Sequence, residues 1–453
     1  MLTEQEPFNV DELLAKAKKP AADAMQLHPF YRGKIETALK CCVRNINDFA
    51  IWYTPGVAAP CRDIAANPER VYDHTNKWNN IAVVSDGTRV LGLGDIGPKA
   101  ALPVMEGKIL LFKYLGGVDG FPICLDTKDP DKFIETVLLL QPSFGGINLE
   151  DIAQPKCFRI LDTLRAEAEI PIWHDDQQGT ATVILAGLMN ALKVVGKKKE
   201  EVRVTFVGCG ASNVACSRLA FAWGVDPANA MMVDSQGILG KYRNDLFIRR
   251  HEFIDKWRLS EITNAEERRG DIREALQGAD VVVALSRPGP GVILPEWVKL
   301  MAKDAIVFAC ANPLPEIWPW EAKAAGAAIV ATGRSDFPNQ VNNSLGFPGI
   351  FRGALDVRAS TITDDMCFAA AEALANQTGD QLGPDHILPT MDDWGVFAAE
   401  AAAVGSKAIE QGIARLTMSH QELFEHASHM IKRARDLTQM MMDEAFIPKC
   451  PID

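Results

Sequence analysis

Two short acidic segments hold the residues best suited to chemistry: Gly146-Ile147-Asn148-Leu149-Glu150-Asp151 and His174-Asp175-Asp176-Gln177-Gln178-Gly179-Thr180. They lie about one βαβ unit apart, so their acids can meet at one cleft. Three carboxylates converging without His or Cys make a hard, oxygen-rich site that suits Mg²⁺ or Mn²⁺ and not Zn²⁺. Read singly, each segment is equally compatible with cap and turn chemistry, where Asp and Asn recur for local hydrogen bonds.

The elements that must position these acids follow from the pattern around them. Residues 170–173 read as a strand, which puts the second acidic segment at a strand's C-terminal end. Residues 81–84 and 90–93 read as two short strands around a Ser85-Asp86-Gly87-Thr88 turn, a hairpin by turn chemistry. Residues 121–125 are strand-like, 108–114 and 131–140 helical, and 1–25 a leading helix or a loose arm. An apolar helix over 181–195 leads out of this part.

A new rhythm begins at residue 202. A strand over 202–207 runs into Gly208-Cys209-Gly210 and a helix over 212–223, the context of a dinucleotide phosphate turn. Asp234 ends the next strand, where an acid can hold ribose hydroxyls, while the third fingerprint position is Asn213 and not Gly or Ala. Further strands read at 230–233, 281–285, 305–309 and 328–331, alternating with helices, which implies a parallel sheet covered on both faces. The charged stretch 236–273 should carry helices of its own. From 359 the pattern is helical, including 396–416 and 421–445. The fold class is therefore α/β: a Rossmann-like doubly wound domain at 186–358, an N-terminal α/β domain at 1–185, and C-terminal helices at 359–453.

The chain has 453 residues, 47% hydrophobic and 23% charged, which fits a globular protein of two or three domains. A net charge of −12 argues against a nucleic-acid partner. Lys197-Lys198-Lys199 reads as a solvated turn. No run of about 18 uninterrupted apolar residues or secretory signal is apparent, so no membrane partner is expected. Ten cysteines without a Cys-x-x-Cys pair suit free thiols and a cytoplasmic location.

Several further motifs stand in a fixed order with the acidic segments. They are Tyr53-Thr54-Pro55-Gly56, Ser85-Asp86-Gly87-Thr88-Arg89, Leu102-Pro103-Val104-Met105-Glu106-Gly107-Lys108, Ala311-Asn312-Pro313 and Thr332-Gly333-Arg334-Ser335-Asp336 through Asn342-Asn343. Across roughly residues 50–360 the chain resembles the malic enzymes, in a short form with no room for an acetyltransferase-like extension. The resemblance implies oxidative decarboxylation of malate to pyruvate with reduction of NAD, or alternatively NADP, and dependence on Mg²⁺ or Mn²⁺. It makes Glu150, Asp151 and Asp176 the metal ligands, Lys108 the general base and Tyr53 the general acid. Asp175 becomes an orienting neighbour counted with the catalytic set, and Lys113 is the competing lysine. Malate would be held by Arg89, Asn312 and Asn343, with Asn342 adjacent. The cofactor would meet Gly208, Gly210, Ala211, Ser212, Asn213, Asp234, Ser286 and Asn312. Asp234 followed by Ser235 and Gln236, with no lysine, favours NAD by charge complementarity. A homodimer or higher homo-oligomer is expected. A plain hydroxy-acid dehydrogenase would share the dinucleotide turn without needing the three acids. A cofactor-sensing protein without catalysis should have lost Lys108, Tyr53 or an acid.

Overall fold

Two parallel sheets carry the candidate residues on the ends of their strands, in a computed structural model that describes residues 10–452. The first contains β1 (Asn80–Ser85), β2 (Asp119–Cys124), β3 (Gly146–Leu149) and β4 (Ile172–His174), in the order β2-β1-β3-β4. All its pairings are parallel. Ile81 to Val84 form an uninterrupted buried apolar run, as a strand covered on both faces requires.

The hairpin expected at 81–93 does not form. β1 has β2 on one side and β3 on the other, so neither edge is free to receive a hairpin partner. Residues 90–93 instead wind into a tight loop closed by a Val90–Gly94 bridge, with Leu91 at φ 48° and Gly94 at φ 79°.

The second sheet contains β5 (Val204–Val207), β6 (Ala230–Asp234), β7 (Gly237–Ile238), β8 (Val281–Ala284), β9 (Ile306–Ala309) and β10 (Ile329–Thr332). Its order is β10-β9-β8-β5-β6-β7, parallel except for β7 against β6. The chain leaves β5 towards β6 and later returns to its other side at β8. That reversal opens a crevice at the C-terminal strand ends, where ligands bind in such sheets. The charged stretch carries three helices, Asn244–Ile248, Ile254–Ile262 and Ile272–Leu276, as well as β7.

The helix Thr180–Val195, buried along nearly its whole length, joins the two halves. The span Asp175–Val195 is apolar and long enough by composition to cross a membrane, but 78% of its apolar window is buried inside the protein. The later helices, among them Gly395–Glu410 and His420–Asp443, pack back across the first half, with Leu115 meeting Phe397, Ala401, Ala427 and Ile431. Lys197 and Lys199 are fastened, to Asp280 and to the Trp223 carbonyl, and Lys198 is an exposed turn residue paired with Glu201 at 3.0 Å.

Candidate active site

Lys108 lies in the helix Pro98–Gly116, whose buried stripe is Ala101, Met105, Lys108, Ile109, Phe112 and Leu115. That spacing turns a lysine inward among apolar neighbours, with its ammonium 4.3 Å from the centre of the Phe347 ring. Its Nζ donates to Asp175 Oδ2 at 2.6 Å and stands 3.1 Å from Glu150 Oε1. Lys113 faces elsewhere and donates to Asp119 at 2.6 Å.

The acids gather at the C-terminal ends of β3 and β4. Glu150, Asp151 and Asp176 each place a carboxylate oxygen within 4.8 Å of the others. Asp151 adopts a left-handed backbone (φ 56°), and its N–H donates to Asp176 Oδ2 at 2.9 Å. Asp151 Oδ2 is buried without a partner among the described residues. Glu150 Oε2 accepts from Asn148 Nδ2 at 2.8 Å. Asp175 and Asp176 open a π-helical turn, Asp175–Gly179, and Trp173 Nε1 donates to Asp175 Oδ1 at 3.1 Å. A Cβ at Gly179 would overlap the Asp175 carboxylate and lie 3.4 Å from the Asn343 Cβ, which places Asn343 beside this acid. The glycine there makes room for the Asp175 carboxylate.

The electrostatics follow from that crowding. Burial pushes Asp151 up to about 8, and Asp176 adds to the shift. Burial also lifts Glu150 well above the usual range, only partly opposed by Lys108, and raises Asp176. Burial works against the Lys108 ammonium, but Asp175 and Glu150 outweigh it and hold the lysine above its ordinary value. His174 is buried with neither ring nitrogen hydrogen-bonded among the described residues, its Nδ1 3.7 Å from Asp176 Oδ2, and burial lowers it to about 4. An all-oxygen set of mutually repelling, partly unpaired carboxylates fits a hard divalent cation.

Arg89 lies close enough to help hold Asp176 ionised, and its N–H donates to the Asp151 carbonyl at 3.0 Å. The loop at 91–94 crosses to the second sheet: a Cβ at Gly92 would lie 3.1 Å from the Asn312 carbonyl and 2.8 Å from Pro288. Asn312 packs against Gly333. Asn342 serves the local turn, donating to the Gly333 carbonyl and accepting from the Ser344 N–H. Tyr53 is the outlier. Its side chain is 72% exposed and its hydroxyl has no hydrogen-bond partner among the described residues.

At the second sheet, Gly208 has φ 97°, and a Cβ there would meet the Leu285 carbonyl at 2.7 Å. A Cβ at Gly210 would meet nothing, so space is open at the start of the helix Ala211–Trp223, whose first N–H groups carry no side-chain cap. That is a fitting cradle for a pyrophosphate. Asn213 is buried beneath the turn, where Nδ2 donates to the Val207, Gly208 and Val283 carbonyls and so supplies the close packing a small residue otherwise gives. Asp234 is not a free acceptor: Arg243 donates to both its oxygens, at 3.0 and 3.3 Å, and Lys256 Nζ lies 3.7 Å away.

Sequence reasoning passed over Asn148, Trp173 and Glu316. Asn148 carries a usable signal, because residues two apart on a strand share a face and Glu150 follows it by two. Glu316 carries none, since its partners are brought to it only by the fold.

The family described as "Malic enzyme, N-terminal domain" matches residues 32–165, and "Malic enzyme, NAD binding domain" matches residues 177–409. The chain is 49% identical over 408 residues to a bifunctional malic/malolactic enzyme of Bacillus subtilis, covering 89% of this chain and 96% of that protein. It is likewise 49% identical over 384 residues to an NAD-dependent malic enzyme of Geobacillus stearothermophilus, covering 84% and 78%. The crystal structure of the Entamoeba histolytica malic enzyme superposes with a TM-score of 0.94 at 50% identity, covering 98% of this chain and 93% of that one. Together with the acid cluster and buried lysine on one sheet and the dinucleotide turn on the other, these matches show that the chain belongs to the malic enzyme family.

Proposed function

We propose that this chain oxidises L-malate at C2 and decarboxylates the product to pyruvate and CO₂, reducing NAD(P). The observation that carries this reading is Lys108 buried against Asp175 and Glu150 beside two further acids. A plain dehydrogenase has no use for that cluster. Glu150, Asp151 and Asp176 would hold Mg²⁺ or Mn²⁺. Such an ion supplies positive charge that polarises the substrate C2 oxygen, stabilises the enolate and offsets the acids that keep Lys108 protonated. The dinucleotide, seated on Gly208, Gly210, Ala211 and Ser212 with Asn213 holding the turn from beneath, would supply the hydride acceptor.

Lys108, after giving its ammonium proton to solvent, takes the malate hydroxyl proton, and Asp175 aims its Nζ. Asp175 is itself fixed by Trp173, so the amine has little freedom to turn away. Arg89, Asn312 and Asn343 hold malate's carboxylates. Tyr53 donates a proton to the substrate carbon after CO₂ leaves.

The Tyr53 segment also supports a homodimer or higher homo-oligomer. Ile46, Phe49, Ile51, Trp52 and Tyr53 expose half or more of their surface, an apolar patch that a second copy would cover. Ten free cysteines without a disulfide agree with action in a reducing cytoplasm. NAD is favoured over NADP.

The test is direct. NAD and NADP reduction is followed with malate and Mn²⁺ while pyruvate is measured in parallel. Equal amounts of pyruvate and reduced dinucleotide are expected. Reduced dinucleotide accumulating with oxaloacetate and without pyruvate would replace this reading with that of a plain dehydrogenase.

A further inference from the structure

A fully buried carboxylate stands outside the acid and base set, at Glu316. Its Oε1 accepts the Ser286 N–H at 2.9 Å and the Ser286 hydroxyl at 3.1 Å, just past β8. Its Oε2 accepts the Ala311 N–H at 3.0 Å, just past β9. The main chain repeats the link: the Glu316 carbonyl accepts the Ile293 N–H at 3.2 Å, and the Leu314 carbonyl accepts the Gly289 N–H at 3.1 Å. From the far side Arg334 donates to the Pro313 carbonyl at 2.8 Å.

Burying a carboxylate is costly unless donors meet it, and a packing role would not require an ionisable group. Burial lifts Glu316 to about 7 in spite of its donors. An amide in its place would turn an NH₂ towards one of the three donors, so only a carboxylate accepts from all of them. The residues it fastens are the assigned ones: Ser286 itself, and Ala311 next to Asn312.

We infer that Glu316 is a positioning residue that locks the loops after β8 and β9 into one platform, setting where Ser286 and Asn312 meet the dinucleotide and malate. This rests on the reading of Ser286 and Asn312 as ligand contacts.

The experiment compares Glu316→Gln, Glu316→Asp, Ser286→Ala and Asn312→Ala by steady-state kinetics, thermal midpoint and the deuterium isotope effect from malate labelled at C2. Glu316→Gln should raise KM for the dinucleotide and lower kcat, together by roughly 10- to 100-fold in kcat/KM, the scale of a displacement of about an ångström. The isotope effect should grow, because a misplaced acceptor slows hydride transfer more than other steps. Glu316→Asp keeps the charge and should recover part of the loss. If Glu316→Gln does not fold, Glu316→Asp carries the test, with an intermediate loss expected. A lowered thermal midpoint with wild-type kinetics and isotope effect would overturn the inference, as would wild-type behaviour throughout. If Ser286→Ala and Asn312→Ala both leave KM unchanged, the ligand-contact reading fails instead.

Discussion

The two clefts sit at equivalent places, the C-terminal ends of parallel strands, yet they are built from opposite materials. The first sheet's cleft is a knot of formal charge: Lys108, Glu150, Asp151 and Asp175 are all buried, with Asp176 half-buried beside them. The second sheet's cleft is lined by glycines and uncapped N–H groups, and its acids are already answered, Asp234 by Arg243 and Glu316 by donors from Ser286 and Ala311. The difference teaches what each has to do. A phosphate turn needs only backbone donors and room. A site that stabilises an enolate needs charge held away from water, where each unit of it acts more strongly. So many buried acids around one lysine would suit a further cation, whereas the second cleft's acids are met by the protein's own donors.

Removing the divalent ion is the strongest way to break this comparison. EDTA should abolish turnover and leave dinucleotide binding, measured by fluorescence or calorimetry, nearly intact. Mg²⁺ or Mn²⁺ should restore the rate. Full activity in metal-stripped protein would mean that Lys108 alone balances the acids.

Next in size come the acid and base. Lys108→Ala should lower kcat by about 10²–10⁴-fold, as loss of a positioned base does. Lys113→Ala should stay close to wild type, because Lys113 is committed to Asp119. Tyr53→Phe should slow protonation of the enolate in the same range while sparing hydride transfer. Tyr53 lies exposed in its own chain, so mixing Lys108→Ala with Tyr53→Phe protein separates two arrangements. Recovered activity would place one copy's tyrosine in the other's cleft, and no recovery would keep acid and base on one chain.

The charged cleft was legible in the sequence because its residues come in short runs at strand ends, where order along the chain nearly equals position in space. Asp175-Asp176 follow β4 directly, and Gly208-Cys209-Gly210 follows β5. Legibility failed where a role depends on what lies alongside. The stretch 90–93 had the composition of a strand, but β3 had taken the edge it needed. Asp234 could be placed at the end of its strand from the sequence, but not the Arg243, nine residues on, that folds back over it. Glu316 has no local pattern at all, and its meaning comes from two loops that meet only in the sheet.

Glu400 sharpens the comparison by supplying a buried acid with no cation to wait for. It is fully buried in the helix Gly395–Glu410, and neither oxygen has a partner among the described residues. Burial raises it well above its ordinary 4.5. Below that ordinary value both folded and unfolded chains are protonated there. Above it the unfolded chain ionises and the folded one does not, so this residue's contribution to stability falls as pH rises. Glu400→Gln should flatten the pH dependence between about pH 5 and 8. Glu400→Leu should stabilise the protein by about 1–3 kcal/mol at the upper end, the scale of relieving an unsatisfied buried polar group. Thermal or denaturant melts across that range provide the check. An unchanged slope in Glu400→Gln would mean that water or a second copy satisfies the carboxylate.

The smallest expected effect concerns the second cleft's charge balance. Arg243 is held by Asp234 at 3.0 Å and by Asp245 at 2.7 Å, so two carboxylates already answer its charge. Gln236 brings no charge, and Lys256 lies 3.7 Å from Asp234, where it shares its charge with that acid. Such a cluster offers a 2′-phosphate little net attraction; Asp234 Oδ1 is filled by Arg243 and the Gln236 N–H, while Oδ2 accepts only from Arg243 and keeps a lone pair for a ribose hydroxyl. NAD should therefore give the higher kcat/KM. Gln236→Lys should move the ratio towards NADP by about 1–2 kcal/mol, the scale of one charge-assisted hydrogen bond. Lys256→Met should move it the other way by less, since that cation is shared with Asp234. A wild-type preference for NADP at matched malate and metal concentrations would show that Arg243 turns from Asp245 to the phosphate. Asp245→Asn, which loosens that hold, would then raise the NADP preference further.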